Sequence, residues 1–279
     1  MKNMLLSTFR GKDKGALCQY LGNLIDRDRS EKCLYLDQRH FVKTLLYRAG
    51  METAHGKYIP IQKEALSEVP SNGLEDDQSA NFRSIVGALL HVSTTSRPDI
   101  AYAVGRLSRH MKEPVDRHLD QAKYLLRYTQ DFVLKLGGPG DLHGYVDADF
   151  ANESDRKSIG GYAFYCGDSL EATREAMHLF YIRSFLGYSV PCTSIRIDNA
   201  AALDLIKNPL SSSQVKHIDI FHHYIREREE IGMVGFSWIC SDDNVADVFT
   251  KPMSRPKFEE FRSQLGVILL PDKFRHQEE

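Results

Sequence analysis

Three short stretches of the sequence set carboxylates where a charged ligand would meet the end of a secondary-structure element. In GYVDADF (144–150), a strand period of two puts Tyr145, Asp147 and Asp149 on one face and Val146, Ala148 and Phe150 on the other. Two anions on one strand face are costly to bury, so that face either meets water or is neutralised by a divalent cation. In TSIRIDNAAALDLIKN (193–208), an apolar strand ends at Asp198 and a helix starts at once, with Asn199 available as its cap. Ligands of open α/β sheets gather beyond the carboxyl ends of strands, which singles out Asp198, although a helix-start acid facing the dipole is the competing use. In SDDNVADVFTKP (241–252), Asp242 or Asn244 could cap a short helix with Asp247 in its first turn, where dipole complementarity competes again. Carboxylates converging from two strand ends and a helix start are what a two-magnesium phosphodiesterase site needs, because paired cations clamp the attacking and leaving oxygens.

Other chemistries find less support. His217, His222 and His223 lie in KHIDIFHHYIRERE without the i, i+4 spacing of a helical zinc pair between His217 and His223, and read as structural or surface groups. There is no GxxxxGK[ST] phosphate loop, GxSxG elbow or HExxH helix. The five cysteines are scattered and odd in number, so neither a disulfide framework nor a structural zinc site is signalled.

The elements that must position the acids can be read from periodicity. At 279 residues, with 42% hydrophobic and 27% charged, the chain has material for about two domains and a folding composition. No apolar run approaches the ~20 residues of a membrane span. The opening MKNMLLSTFRGKDKG lacks a secretory core and cleavage site, so an intracellular protein, cytoplasmic or nuclear, without a membrane partner is expected. Net charge is −2, but residues 1–140 carry +5 and residues 141–279 carry −7, a basic half and an acidic half. A hairpin is expected from LCQYLGNLIDRD and KCLYLDQ, then a helix over about 38–49 and a polar connector over 51–80. Three helices follow between 79 and 132, the second announced by Ser96 as N-cap. GGPGD (137–141) is the best boundary, since strands are expected beyond it at 142–150, 159–166, 193–198 and 233–240. Helices are expected at 171–186, 199–208, 217–231, 244–250 and 256–265, making an α/β or α+β domain with a mixed sheet.

The ordered series FRSIVGALLHVSTTSRPDIAYAVGRLSRHMKEPVDRHLDQAKYLLRY, GYVDADFAN, SIGGYAFYCG, IRIDNAAALDLIKNP, KHIDIFHHYIRERE and VADVFTKPMSRPKFEEFRSQLG resembles the Pol polyprotein of copia-type LTR retrotransposons over nearly the whole chain. The resemblance implies a reverse-transcriptase carboxyl-terminal remnant and connector over 1–78 and a helical connection segment over 79–136. Over 142–279 it implies a ribonuclease H-like domain with a mixed sheet and flanking helices. It implies Asp147, Asp198 and Asp247 as ligands of Mg2+ and as the catalytic acids for hydrolysing RNA in an RNA:DNA hybrid.

Two departures from the family pattern qualify that expectation. The polymerase Tyr-X-Asp-Asp motif and the upstream reverse-transcriptase and integrase parts are missing, so no DNA synthesis is expected. Near 167–171, YCGDSL joins directly to EATREAM, where the family has another strand and the opening of a helix bearing a fourth, glutamate ligand. Glu171 is the candidate substitute, as the first acid of a shortened helix. The alternative is a catalytically inert remnant that binds nucleic acid weakly through Arg97, Arg106, Arg109, Lys112, Lys123 and Arg127.

Overall fold

The computed structural model describes residues 7–8, 10–13, 15–62, 73–138, 142–149, 159–166, 169–171, 192–207 and 227–277. Strands β1 (Gln19–Tyr20), β2 (Asn23–Asp28) and β3 (Cys33–Asp37) form an antiparallel meander. Helix α1 (Arg39–Arg48) follows, then α2 (Asp76–Thr95), a 3-10 turn at Pro98–Ile100 that runs into α3 (Ala101–Ser108), and α4 (Asp116–Tyr128). Next come β4 (Phe132–Gly137), β5 (Leu142–Asp149), β6 (Ile159–Cys166), β7 (Ser169–Glu171), β8 (Thr193–Ile197), α5 (Ala200–Lys207) and β9 (Val234–Trp238). Short 3-10 segments at Ser241–Asp243 and Val245–Phe249 lead to α6 (Arg255–Gln264), β10 (Val267–Leu269) and a final 3-10 segment at Asp272–Gln277. None of the described helices is long and apolar enough to cross a membrane.

Among the described residues the strands make two five-stranded sheets, ordered β1-β2-β3-β4-β10 and β7-β6-β5-β8-β9. The first is antiparallel, with the chain's last strand paired to β4, Ile268 opposite Val133. The second is mixed: β7, β6 and β5 are antiparallel neighbours, whereas β5, β8 and β9 run parallel. The protein is thus mixed α/β, and the second sheet is compatible with a ribonuclease H-like fold.

One core spans both sheets. Phe82, Val86 and Leu89 of α2, Val104 and Leu107 of α3, and Leu125 and Leu126 of α4 pack with Leu134 of β4 and Val267 of β10. The same cluster takes Ala163 and Tyr165 from β6, Val245 and Val248 from the 3-10 segment, and Phe258 and Phe261 from α6. A smaller cluster of Leu142, Phe164, Ile195 and Val234 lines the opposite face of the second sheet. Alternation along β5 and β6 assigns the faces: Asp147, Tyr145 and Gly161 share the side of the main core, while Val146 and Phe164 take the other.

Several expectations need correction. FVLKLG, read as the end of the helical segment, is β4: Phe132, Leu134 and Leu136 face the helices, and Val133 packs with Cys33 and Tyr35 on the far side. That period-two pattern gains ladder partners on both edges, β3 and β10, which outweighs any local helical preference. Ser96 is not the N-cap of the next helix but the C-cap of α2, its amide donating to Val92 O at 3.0 Å and its hydroxyl to Gln38 Oε1 at 2.6 Å; the turn begins at Pro98. Residue 171 is not helical, because Ser169–Glu171 pairs with Phe164–Cys166 as an edge strand. The rest of the expected helix over 172–186, and most of that over 217–231, lie outside the described residues.

Candidate functional site

Parallel pairing of β5 and β8 sets their carboxyl ends side by side, with Val146 opposite Ile197, so Asp147 and Asp198 emerge as neighbours. Asp198 follows the last strand residue directly, and Asn199 Oδ1 accepts a hydrogen bond from Ala202 N at 3.1 Å. Asn199 therefore caps α5 as the sequence suggested, so the cap does not need Asp198.

The third acid arrives on the 3-10 segment Val245–Phe249. Asn244 caps it by accepting from Ala246 N at 3.2 Å, while its side-chain amide donates to the Val146 carbonyl at 3.1 Å and ties the segment to β5. Val245 and Val248 anchor in the main core. Gly161, opposite Asp147 on β6, makes the approach possible: a Cβ there would lie 2.9 Å from Ala246 O, Phe249 Cβ and Thr250 Cγ2. A side chain at 161 would thus push this segment off the sheet.

The outcome is a cluster in which carboxylate oxygens of Asp147, Asp198 and Asp247 all lie within 4.8 Å of one another. Asp247 is 4% exposed, the other two half-buried. Thr250 donates its hydroxyl to Asp147 Oδ2, and the Lys251 ammonium sits 2.7 Å from Asp247 Oδ2. Asp247 Oδ1 is buried without a hydrogen-bond partner. Burial pushes the Asp247 carboxyl up to about 6; Lys251 opposes the rise, and the charges of Asp147 and Asp198 add to it. Burial pulls Lys251 down, but its hydrogen bond to Asp247 and the pull of all three acids leave it raised overall. Three acids, one bare oxygen and all-oxygen donors fit a hard divalent cation.

Thr250 and Lys251 were missed in the sequence, although their signal was there: they follow Asp247 at i+3 and i+4 in VADVFTKP, one turn away on the same side. Asp149 lies on β5, with its side chain outside the described set. Glu171 ends β7 opposite Phe164, which itself pairs with Gly144. Three residues along β5 and two strands across separate it from Asp147, which places the two Cα atoms roughly 14 Å apart. The helix placement of Glu171, the candidate substitute ligand, is therefore corrected: it ends an edge strand, and in this register its backbone stands far from the cluster. His217, His222 and His223 lie outside the described residues.

The basic candidates divide. Arg97 is 1% exposed and bound bidentately to Asp99, with Nη1 donating to Thr129 O at 2.8 Å, so its assignment to a nucleic-acid surface is corrected. Its neighbour Asp99 offers a buried charge partner that solvent cannot match, which holds the guanidinium inside. Arg109 and Lys112 are exposed, Lys112 lying 3.4 Å from Glu113. Arg106 and Lys123 are half-buried, and Arg127 donates to the His55 carbonyl at 3.0 Å.

Fold and site together define a mixed α/β protein with an acidic cluster at the carboxyl ends of adjacent parallel strands. No family model matches the chain. It is 33% identical to the retrovirus-related Pol polyproteins from transposons RE1 and RE2 of Arabidopsis thaliana, each over 96% of its length. Against that from transposon TNT 1-94 of Nicotiana tabacum it is 31% identical over 96%. The chain belongs to the Pol polyprotein family of copia-type retrotransposons. It spans about a fifth of the length of these relatives, 20% of RE1 and 23% of TNT 1-94. The RE1 alignment runs over 298 positions, more than the chain's 279 residues, so the relative carries positions with no counterpart here.

Proposed function

We propose that this chain carries a ribonuclease H-type site that holds a divalent cation, Mg2+ in the cell, and engages RNA:DNA hybrids weakly, with hydrolysis strongly impaired. The observation that carries the reading is the three-carboxylate cluster with its bare, buried Asp247 oxygen. Asp147, Asp198 and Asp247 would be the ligands; when bound, such cations supply charge stabilisation at the scissile phosphate and a more acidic water. The chain's own groups set the frame: Thr250 orients Asp147, Asn199 and Asn244 fix the backbone behind Asp198 and Asp247, and Gly161 admits the 3-10 segment.

Impairment follows from the count of ligands. The fourth acid of the family pattern has no counterpart in the join after YCGDSL, and Glu171 stands too far along β7 to replace it. Catalysis by bound cations tolerates little misplacement. Single-turnover cleavage of a labelled RNA:DNA hybrid in Mg2+ or Mn2+ tests this reading. No significant cleavage is expected, with Mn2+ binding lost in Asp147→Asn. Robust cleavage abolished by Asp147→Asn would overturn the impairment, and Mn2+ binding unaffected by that substitution would overturn the site.

A further inference from the structure

The ammonium of Lys251 is an unusual companion for a cluster built to take cations. The 3-10 segment delivers it one turn beyond Asp247, where the Lys251 amide donates to the Asp247 carbonyl at 3.1 Å and the side chain folds back to within 2.7 Å of Asp247 Oδ2. The lysine side chain is 44% exposed and the aspartate side chain 5%, so the pair straddles the boundary between the core and solvent. The two Asp247 oxygens therefore differ: Oδ2 is occupied by the ammonium, and Oδ1 is buried and bare.

We propose that Lys251 is a built-in counter-ion of the carboxylate cluster, a positioning residue that holds Asp247 Oδ2 and offers an incoming divalent cation only Oδ1. This rests on the cation-binding reading above. Two consequences oppose each other. By fixing one oxygen, the ammonium presets the orientation of the other, which favours binding. By standing a few ångströms from the ion's place, its positive charge disfavours binding. The backbone of Asp247 is already confined by the Asn244 cap, by Val245 and Val248 in the core and by the seat on Gly161. Orientation lost with the lysine is therefore small, and the charge effect dominates.

Titration of the full chain with Mn2+ at pH 8 and low salt, followed by the loss of the free-ion electron paramagnetic resonance signal, separates the alternatives. Lys251→Met keeps the aliphatic length and removes the charge, and should bind Mn2+ roughly three- to tenfold more tightly than the parent. Lys251→Arg keeps the charge and should stay within about twofold. A merely structural lysine would behave oppositely, since its loss would loosen the site and weaken binding. Lys251→Gln provides the same charge removal should the methionine variant fail to fold. Equal or weaker Mn2+ binding in the charge-removed variants, with Asp147→Asn still abolishing binding, would overturn the counter-ion role alone. Absence of Mn2+ binding in the parent and the variants alike would overturn it together with the cation-site reading.

Discussion

Asp99 and Asp247 are both buried carboxylates beside a cation, yet their second oxygens have opposite fates. Asp99 Oδ1 accepts from Arg97 Nε at 2.9 Å, and Oδ2 accepts from both Arg97 Nη2 and the Tyr128 hydroxyl. The guanidinium lies over the Tyr128 and Phe132 rings, with its centre 4.9 and 5.2 Å from their centroids. Burial, then the Asp99 charge, drive the Tyr128 phenol well above its ordinary range, so it stays a donor. At Asp247 one oxygen has Lys251 and the other has nothing, with two further acids within 4.8 Å. A closed network of this kind holds the Pro98–Ile100 turn, α4 and β4 together; an open one of like charges opposes folding and is useful only when something else completes it.

The comparison breaks first at its stable end. Arg97→Met leaves Asp99 a buried, uncompensated charge and should cost about 3–5 kcal/mol in urea unfolding. A loss under about 1 kcal/mol would mean that the network is not what pins the helices.

Gly161→Ala attacks the open end through packing. Its methyl must displace Ala246 O, Phe249 and Thr250, and a cost of about 1–3 kcal/mol is expected, together with weakened Mn2+ binding. Unchanged metal affinity would show that the 3-10 segment does not depend on this seat.

Asp247→Asn should do the reverse of Arg97→Met. The folded-state value of about 6 lies above the ordinary carboxylate value, so the protonated acid is the form that the fold favours. Without divalent cation, that stabilisation is complete below pH ~4 and disappears as pH rises through about 6. At pH 8 in chelator, Asp247→Asn should be about 1–2 kcal/mol more stable than the parent, with the difference vanishing by pH 4. A destabilised asparagine variant at pH 8 would erase the distinction between the two carboxylates.

The smallest effect is expected at the surface. Arg109→Ala should change stability by no more than about 0.5 kcal/mol while lowering hybrid affinity and its salt slope by roughly one unit. Sequence-selective, salt-insensitive binding would contradict the weak electrostatic contact proposed for the basic half.

What the sequence revealed follows the same contrast. The three acids that the fold brings together were legible as candidates because Asp147 lay on a period-two strand and Asp198 and Asp247 lay beside capping asparagines, all strictly local signals. β6 was legible to the residue, since its edges coincide with the ends of a period-two run. Arg97 was misread as a surface cation because the Tyr128 ring it stacks on and the Thr129 carbonyl it donates to are some thirty residues away, and Asp99 two residues on reads as an ordinary helix-start acid. β4 was misread because its strand identity comes from β3 and from β10 at the far end of the chain. Glu171 was assigned to a helix because three residues of edge strand are too short to show a period. Local chemistry was therefore readable, and pairings across long sequence separations were not.

Thermal unfolding of the full chain with and without Mn2+ tests the central claim most directly, because a cation that completes the open cluster must stabilise the folded state that holds it. At pH 8 the parent midpoint should rise with Mn2+ concentration, and those of Asp147→Asn and Asp247→Asn should stay flat. A parent midpoint indifferent to Mn2+, or one that rises equally in both asparagine variants, would contradict the assignment of Asp147, Asp198 and Asp247 as a cation site.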